Sequence, residues 1–227
     1  MERVEQGGYL APRYLLHRFD AGSENTGGAR EIMLDGIASL VAEAVARREA
    51  LGLLGPLSAD DYRKYLAGLL DEAARGDAGL VAAIGVAGGA EDGTVFGTAQ
   101  WTRSPYATRR VLAELDRVTV APDARGLGVG RALVEAIVES AGEQGIEVLT
   151  LEVRGNNHGA IALYESCGFA RTGILPNAVA DELVRHDVIL MCRELPRPDG
   201  VTLLGSRPLG AGASNVRNQA ASDDEEN

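Results

Sequence analysis

The sequence predicts an α/β fold in which a central mixed, mostly antiparallel sheet is flanked by helices on both faces. Segments with apolar residues every three or four positions alternate along the chain with short runs rich in Val, Leu, Ile and Thr. The predicted order is a strand, two helices, several antiparallel strands and then a strand–helix–strand–helix–strand series. The chain has 227 residues, of which 45% are hydrophobic, so it can bury one core of this kind.

The first half of the chain is predicted to hold one strand, two helices and a hairpin. Ser58 has the character of an N-cap, and Asp61 stands three residues later as a weak capping-box partner. Two β-rich runs enclose a Gly-rich segment over 88–93, which is typical of a hairpin turn. The predicted elements are strand 14–19, helix 30–50, helix 59–74 and the hairpin strands 79–87 and 94–101.

The second half is predicted to alternate strands with helices. Apolar residues at 129, 132, 133, 136, 137 and 141 form one helical stripe. Gly168 is placed to end a later helix as its C-cap. The predicted elements are strand 111–120, helix 125–142, strand 147–153, helix 157–167 and a final strand 184–193.

The domain organisation is predicted to be simple. Residues 14–196 are expected to form a single domain, preceded by a flexible N-terminus over 1–13. Residues 20–29 are rich in Gly, Ser and Asn and are expected to form a loop. Residues 197–227 are rich in Gly, Ser, Asn and Pro, carry an acidic run at 223–226, and are expected to be a disordered tail.

Charge and cysteine content narrow the classes of function. The net charge of −11 disfavours nucleic acid and anionic membranes as partners, because both need a basic surface, and it is compatible with a cationic substrate. Two cysteines and three histidines without metal-ligand spacing predict no metal site, and so few cysteines are typical of the reducing cytoplasm. The N-terminal residues lack the apolar region of a signal peptide. We therefore expect a cytoplasmic protein.

A glycine-rich segment over 118–131 carries the clearest chemical signal. A strand is predicted to end there, a Pro-containing turn follows, and glycines lead into a helix. Such glycines allow backbone N–H groups to approach a ligand closely, and the helix N-terminus favours anions, so the segment suits a phosphate. Arg125 and Arg131 add positive charge.

Two common phosphate-binding motifs do not fit this segment. A P-loop needs a lysine after its glycines, and none follows; a dinucleotide-binding fingerprint needs a third glycine where Arg131 stands. The pattern that remains is [Q/R]xxGxG, filled by Arg125, Gly128 and Gly130. In this segment the sequence resembles the acetyl-CoA pyrophosphate loop of GNAT N-acetyltransferases.

A second segment strengthens this resemblance. Residues 157–169 read NHGAIALYESCGF and are similar to the family's NxxAxxLYxxxGF motif at every named position. The resemblance covers roughly residues 51–195 and implies the GNAT fold, with acetyl-CoA as co-substrate and no metal. Residues 55–62 and 173–176 are similar to the small-molecule branch, including the tabtoxin-resistance type.

The resemblance implies direct acetyl transfer to an amine, without an acyl-enzyme. Tyr164 would then protonate the leaving thiolate, although a helix tyrosine that only packs in the core is the alternative. Glu114 would accept the ammonium proton, unless it merely pairs with Arg103 or Arg117. Glu152 is the second candidate for the base.

The resemblance also implies a set of cofactor contacts. The Val118 N–H would bind the developing oxyanion, while Thr119 and Val120 would follow the pantetheine chain like an added strand. Period-2 alternation is expected to place Glu114 on one face of its strand together with Asp116, Val118 and Val120. The other implied contacts are Arg125, Gly126, Leu127, Gly128, Val129, Gly130, Arg131 and Asn157. For Asn157 a helix N-cap is the alternative role, and the two roles are compatible.

The expected partner is the amine of a small molecule, and the sequence leaves a homodimer open. Three other functions remain: a protein or peptide N-acetyltransferase, a GNAT fold that senses CoA without turnover, and a nucleotide-dependent oxidoreductase. Tyr164 and Glu114 argue against the sensor, and Arg131 argues against the oxidoreductase. The sequence does not identify the acceptor amine.

Overall fold

The computed structural model describes residues 13–21, 28–49, 51–53, 55–87, 90–181 and 184–196. Within them, seven strands form one sheet in the order 1-2-3-4-5-7-6. All neighbouring strands run antiparallel except the fourth and fifth, which are parallel. The predicted mixed, mostly antiparallel sheet is therefore confirmed. The strands are β1 (Arg13–Phe19), β2 (Ala78–Ala87), β3 (Ala90–Arg103), β4 (Leu112–Val120), β5 (Val148–Arg154), β6 (Ala170–Asp181) and β7 (Val184–Glu194).

Among the described residues, four α-helices cover the sheet. The second helix has the predicted bounds, and its N-cap is Ser58, whose side chain accepts a hydrogen bond of 3.1 Å from the Asp61 N–H. The first helix ends at Ala46, four residues earlier than predicted, because the chain turns there and Arg48 takes a left-handed φ of 58°. The helices are α1 (Gly28–Ala46), α2 (Ala59–Ala74), α3 (Val129–Glu143) and α4 (His158–Ser166).

Each face of the sheet buries its own apolar core. Leu80, Ala82 and Ile84 of β2 point towards α1 and α2, while Val81 and Ala83 point towards α3. The β2 strand is buried on both faces, which explains why its sequence is apolar almost throughout. The sheet is thus a central layer with helices on both faces, as the sequence predicts.

Two sequence predictions need correction. The helix expected from residue 125 begins only at Val129, since Pro122–Ala124 form a 3-10 turn and the next four residues form an irregular loop. The strand β6 was not predicted at all. It lies at the edge of the sheet, most of its side chains are exposed and it contains Pro176, so it lacks the alternation that marks a half-buried strand. The final predicted strand is confirmed as β7, but it lies inside the sheet, between β5 and β6.

Some predictions lie partly or wholly outside the described residues: the terminal segments before residue 13 and after residue 196, residues 22–27 of the expected loop, residue 50 of the first predicted helix and residues 88–89 of the hairpin turn. No helix in the described part of the chain is long and apolar enough to cross a membrane. Across those same residues, no group of three or more His, Cys, Asp and Glu side chains is arranged to hold a metal ion.

Candidate active site

The candidate active site is the cleft between β4 and β5. These parallel strands pair over only three positions, from Leu112 with Val148 to Glu114 with Thr150. Beyond Glu114, β4 continues to Val120 alongside β3 alone, while β5 continues beside β7. The two strands therefore diverge, and the free edge of β4 faces an opening in the middle of the sheet.

A β-bulge in β4 decides which side chains face which side of this cleft. The register of β4 on β3 shifts between the Thr98–Thr119 and Gln100–Asp116 pairs, and Arg117 takes a left-handed φ of 50°. An extra residue in one strand reverses the alternation after it. Consequently Val118 and Val120 pack with the α3 core, as Ala113 and Leu115 do before the bulge. The prediction that Glu114 shares its face with Val118 and Val120 is wrong, whereas its shared face with Asp116 is retained.

The bulge also orients the main chain of β4. The Ala121 N–H donates to the Phe96 carbonyl of β3 at 2.9 Å, so alternation turns the main-chain groups of Thr119 towards β3 as well. The main-chain groups of Val118 and Val120 then point away from β3, into the cleft. This favours the predicted roles of Val118 and Val120. It argues against Thr119, whose side chain is buried and whose main chain pairs with β3.

A loop at the end of β4 supplies the candidate anion site. Gly126 and Gly128 have φ values of +79° and +82°, and a Cβ added at either would meet no atom within 4 Å. Glycine is therefore needed here for its left-handed backbone conformation and not for close packing, and the space next to the loop is open. The helix α3 starts immediately afterwards, and its first backbone bond joins the Ala132 N–H to the Gly128 carbonyl at 3.1 Å. The N–H groups of Val129, Gly130 and Arg131 precede that bond and have no intrahelical acceptor.

The side chains around this loop differ in exposure and packing. Leu127 is exposed, whereas Val129 is buried in the α3 core. A Cβ at Gly130 would lie 3.2 Å from Leu163 Cδ2, so the missing side chain lets α3 approach α4. We therefore expect Val129 and Gly130 to contribute only backbone N–H groups to a ligand.

The side chains of both arginines of the motif form hydrogen bonds within the protein. Arg125 donates to the Val120 carbonyl at 3.2 Å and to the Glu49 carboxylate at 2.7 Å. Burial alone would raise the pKa of Glu49, but hydrogen bonds from Arg125 and Arg47 outweigh it and lower that pKa. Arg131 turns away from the loop and donates to the Ser166 carbonyl at the end of α4, at 3.2 Å. Its predicted contact with phosphate therefore rests on its backbone N–H.

The second motif forms α4 and places Tyr164 and Asn157. The Asn157 side chain accepts from the Ala160 N–H at 3.2 Å, so it caps the helix, which was the alternative to its cofactor role. The Tyr164 ring is 9% exposed and meets Phe169 edge-on, with 6.0 Å between ring centroids. Burial, together with the nearby charge of Asp116, raises the pKa of Tyr164 to about 12. No described residue hydrogen-bonds the Tyr164 hydroxyl, which leaves its proton available.

Glu114 stands at the point where the strands diverge, opposite Thr150. The residue keeps an exposed surface, but its carboxyl group is partly enclosed by the protein, and this burial, together with the charges of Asp116 and Glu152, raises its pKa, while Arg117 opposes the rise. No ion pair joins it to Arg103, which binds the carbonyls of Gly76 and Gln144 at 2.8 and 2.6 Å. Within the described chain, Arg117 does not pair with it either. Glu152 is exposed on β5, two residues beyond Thr150.

Sequence reasoning did not find a polar cluster beside Glu114, which we call the Arg117 cluster. Arg117 stacks on Tyr65, with its guanidinium carbon 4.2 Å from the ring centroid. Gln100 is buried and donates to the Tyr65 hydroxyl at 2.5 Å. The only sequence signal was the charged pair Asp116-Arg117 within a strand. The cluster consists of Tyr62, Tyr65, Gln100, Asp116 and Arg117.

Two atoms of this cluster are buried without a hydrogen-bond partner: Oδ1 of Asp116 and Nη1 of Arg117. An unsatisfied buried polar group costs about 1–3 kcal/mol. Burial raises the pKa of Asp116, and the neighbouring Arg117 and Gln100 offset only part of that rise. The folded chain thus holds an unpaired acceptor and an unpaired donor next to the diverging strands.

Comparison with known proteins places this arrangement in a family. The model of the acetyltransferase (GNAT) family matches residues 55–169. The [ribosomal protein bS18]-alanine N-acetyltransferase of Escherichia coli K12 is 42% identical over 79 residues, which are 35% of this chain and 53% of that protein. The mycothiol acetyltransferase of Paenarthrobacter aurescens is 40% identical over 60 residues, 26% of this chain and 19% of that protein. The chain therefore spans about half the length, or less, of these curated relatives.

A solved structure shows the same fold. The phosphinothricin acetyltransferase of Sinorhizobium meliloti, in complex with acetyl-CoA, superposes with a TM-score of 0.65 at 20% identity, covering 86% of this chain and 96% of that one. The family match extends over half of the chain, includes the α2 helix, the diverging strands and the glycine loop, and reaches Phe169 at the end of the second motif. The chain belongs to the acetyltransferase (GNAT) family.

Proposed function

We propose that this chain transfers an acetyl group from acetyl-CoA directly to the primary amine of a small molecule. The observation that carries the proposal is the divergence of β4 and β5 beside a glycine loop that opens α3. The loop offers N–H groups for a pyrophosphate, and the free edge of β4 offers main-chain groups for an extended chain such as pantetheine. Both features lie at the carboxyl end of β4, so one ligand could use them together.

The side chains of the cleft suit the transfer step. The amine nitrogen attacks the thioester carbonyl carbon, and the Val118 N–H binds the developing oxyanion. The carbon–sulfur bond then breaks, and Tyr164 gives its proton to the leaving thiolate. Before the attack, Glu114, directly or through a water molecule, takes one proton from the ammonium group and so frees the amine; the second proton, which the nitrogen loses as the amide forms, replaces the one that Tyr164 has given up. Glu152 is the alternative base, since it lies on the facing strand.

The test of this proposal combines binding and turnover. Calorimetry is expected to show that acetyl-CoA binds in preference to NADH and ATP, and a thiol-release assay across amino acids, polyamines and aminoglycosides is expected to yield CoA. Binding without CoA release from any amine or peptide would favour the sensor. Preferential binding of NADH would favour the oxidoreductase and contradict the proposal.

Peptide acetylation is a second candidate, because the Escherichia coli relative acts on a ribosomal protein. A peptide that begins with alanine should be compared with free amines of similar size. The small-molecule proposal expects a higher kcat/KM for a free amine, because Tyr62 and Tyr65 of α2 pack against Arg117, three residues beyond Glu114, and favour a compact acceptor. A higher kcat/KM for the peptide would replace the proposal with the peptide function. The cytoplasmic location and the homodimer also remain predictions.

A further inference from the structure

The Arg117 cluster lies next to the proposed reaction centre. Asp116 follows Glu114 by two residues on the same face of β4, and Arg117 occupies the bulge immediately after it. Burial and, after it, the charge of Asp116 raise the pKa of both Glu114 and Tyr164, so the Asp116 carboxylate lies within electrostatic range of both candidate catalytic groups. An acceptor whose nitrogen meets Glu114 would therefore have its neighbouring atoms beside this cluster.

Arg117 differs from Arg63 and Arg103 in the partners of its guanidinium. Arg63 forms ion pairs with Glu31 and Asp35, and Arg103 donates to main-chain carbonyls. Arg117 instead stacks on Tyr65, and no described carboxylate lies within 4.0 Å of its guanidinium. Stacking fixes the plane of the guanidinium, and its Nη1, which is buried and makes no hydrogen bond, is left for another group. A guanidinium N–H without a partner matches a carboxylate oxygen through a charge-assisted hydrogen bond.

Asp116 supplies the opposite chemistry. Its Oδ1 is buried and accepts no hydrogen bond, although Arg117 is the next residue. The donor and the acceptor are thus held apart rather than paired with each other. A ligand that complements both must carry a cation and an anion a few bonds apart.

We propose that the Arg117 cluster is the recognition end of the acceptor site and that the acceptor is an amino acid, whose carboxylate binds Arg117 while its ammonium group lies between Asp116 and Glu114. This deepens the proposed acetyl transfer and rests on it. The net charge of −11 by itself favours an amine that carries no negative charge. Arg117, in contrast, favours an acceptor that also carries a carboxylate, and this is the more specific prediction.

The test uses matched acceptors that differ only in the anionic group. The thiol-release assay is run on the full chain with each L-amino acid and its α-carboxamide, and with β-alanine and γ-aminobutyrate to vary the spacing between the two charges. A charge-assisted pair predicts at least a tenfold higher kcat/KM for the best carboxylate than for its carboxamide. Arg117→Gln should abolish that preference, mainly by raising KM for the carboxylate, and Arg117→Lys should retain part of it.

Two controls separate recognition from folding. Arg63→Gln removes an arginine from the same α1–α2 side, where its partners are Glu31 and Asp35, and should preserve the carboxylate preference. The ratio of carboxylate to carboxamide rates is the decisive readout, because a loss of folding lowers both rates equally. The acetyl-CoA affinity of Arg117→Gln should equal that of the unaltered chain.

Two outcomes would overturn the inference. One is turnover of simple amines or carboxamides that equals or exceeds turnover of every amino acid, which would leave acetyl transfer intact and show that Arg117 is structural. The other is a preference for carboxylates that persists in Arg117→Gln. Failure of acetyl-CoA to bind at all would instead refute the proposed function, so the two failures are distinguishable.

Discussion

The hydroxyl group of Tyr164 is needed for a catalytic role but not for a packing role, so its removal distinguishes the two. Tyr164→Phe keeps the ring and its contact with Phe169, and the hydroxyl that it removes has no hydrogen-bond partner among the described residues. We expect kcat to fall by about 10²–10⁴, the usual loss for a positioned acid, with little change in acetyl-CoA affinity or melting temperature. Steady-state kinetics and thermal melts test this, with Tyr106→Phe as the exposed control. An unchanged kcat would assign Tyr164 to the core alone.

Glu114→Gln tests the base through the pH dependence of kcat/KM. An alkylammonium acceptor has a pKa of about 10.4, so only a small fraction of it is free amine at neutral pH. A variant without the base can use only that fraction. The rate deficit relative to the unaltered chain should therefore be largest at low pH and shrink about tenfold per pH unit as the pH rises towards that value. Glu152→Gln is the matched control on the facing strand. A deficit that follows this pattern only in Glu152→Gln would move the base to β5.

Stability provides an independent check on Glu114. Its folded pKa is raised, so the folded state binds more protons than the unfolded state between the usual and the raised pKa, and stability falls as pH rises through that window. Gln mimics the protonated form, and Glu114→Gln should consequently be at least as stable as the unaltered chain at neutral pH. A lower melting temperature at neutral pH would indicate that Glu114 makes a stabilising ion pair instead.

The glycine loop is the element on which cofactor binding depends, and Gly128→Val tests it. The substitution forces a β-branched residue into a left-handed φ, so some stability should be lost even if the loop binds nothing. Gly145 has a similar φ of +77° and equally open surroundings at the other end of α3, which makes Gly145→Val the matched control for backbone strain. We expect similar losses of melting temperature in both variants, but weaker acetyl-CoA binding only in Gly128→Val. Equal affinities by calorimetry would refute the assignment of the loop.

The sequence predicted which helices and strands form more accurately than it predicted the residues at which they begin and end. The α2 helix was predicted with correct bounds because its N-cap and its apolar spacing are both local signals. The start of α3 was predicted four residues early, because two of the four preceding residues are glycines that take left-handed φ values, which a right-handed helix does not contain. The β6 strand was missed because an exposed edge strand needs no apolar alternation.

For the molecule as a whole, the clearest prediction concerns the residues after Pro196. The segment 197–227 is too poor in apolar residues to bury a core, and this composition is the basis of the expectation. Its deletion should leave the melting temperature and acetyl-CoA affinity nearly unchanged. Thermal melts and calorimetry on the shortened chain test this, and a drop of several degrees would show that the segment packs on the domain.

The sequence by itself determined the family resemblance, the order of most elements and the two motifs, because each depends on residues close together in the chain. Only the tertiary structure decided where β4 and β5 part, since that depends on which strands pair and for how long. It also decided the face of each side chain after Arg117, because one extra residue in β4 reverses the alternation on which sequence reasoning relies. The Arg117 cluster became visible for the same reason: Tyr62 and Tyr65 lie more than fifty residues before Arg117, and packing of α2 on the sheet brings them together.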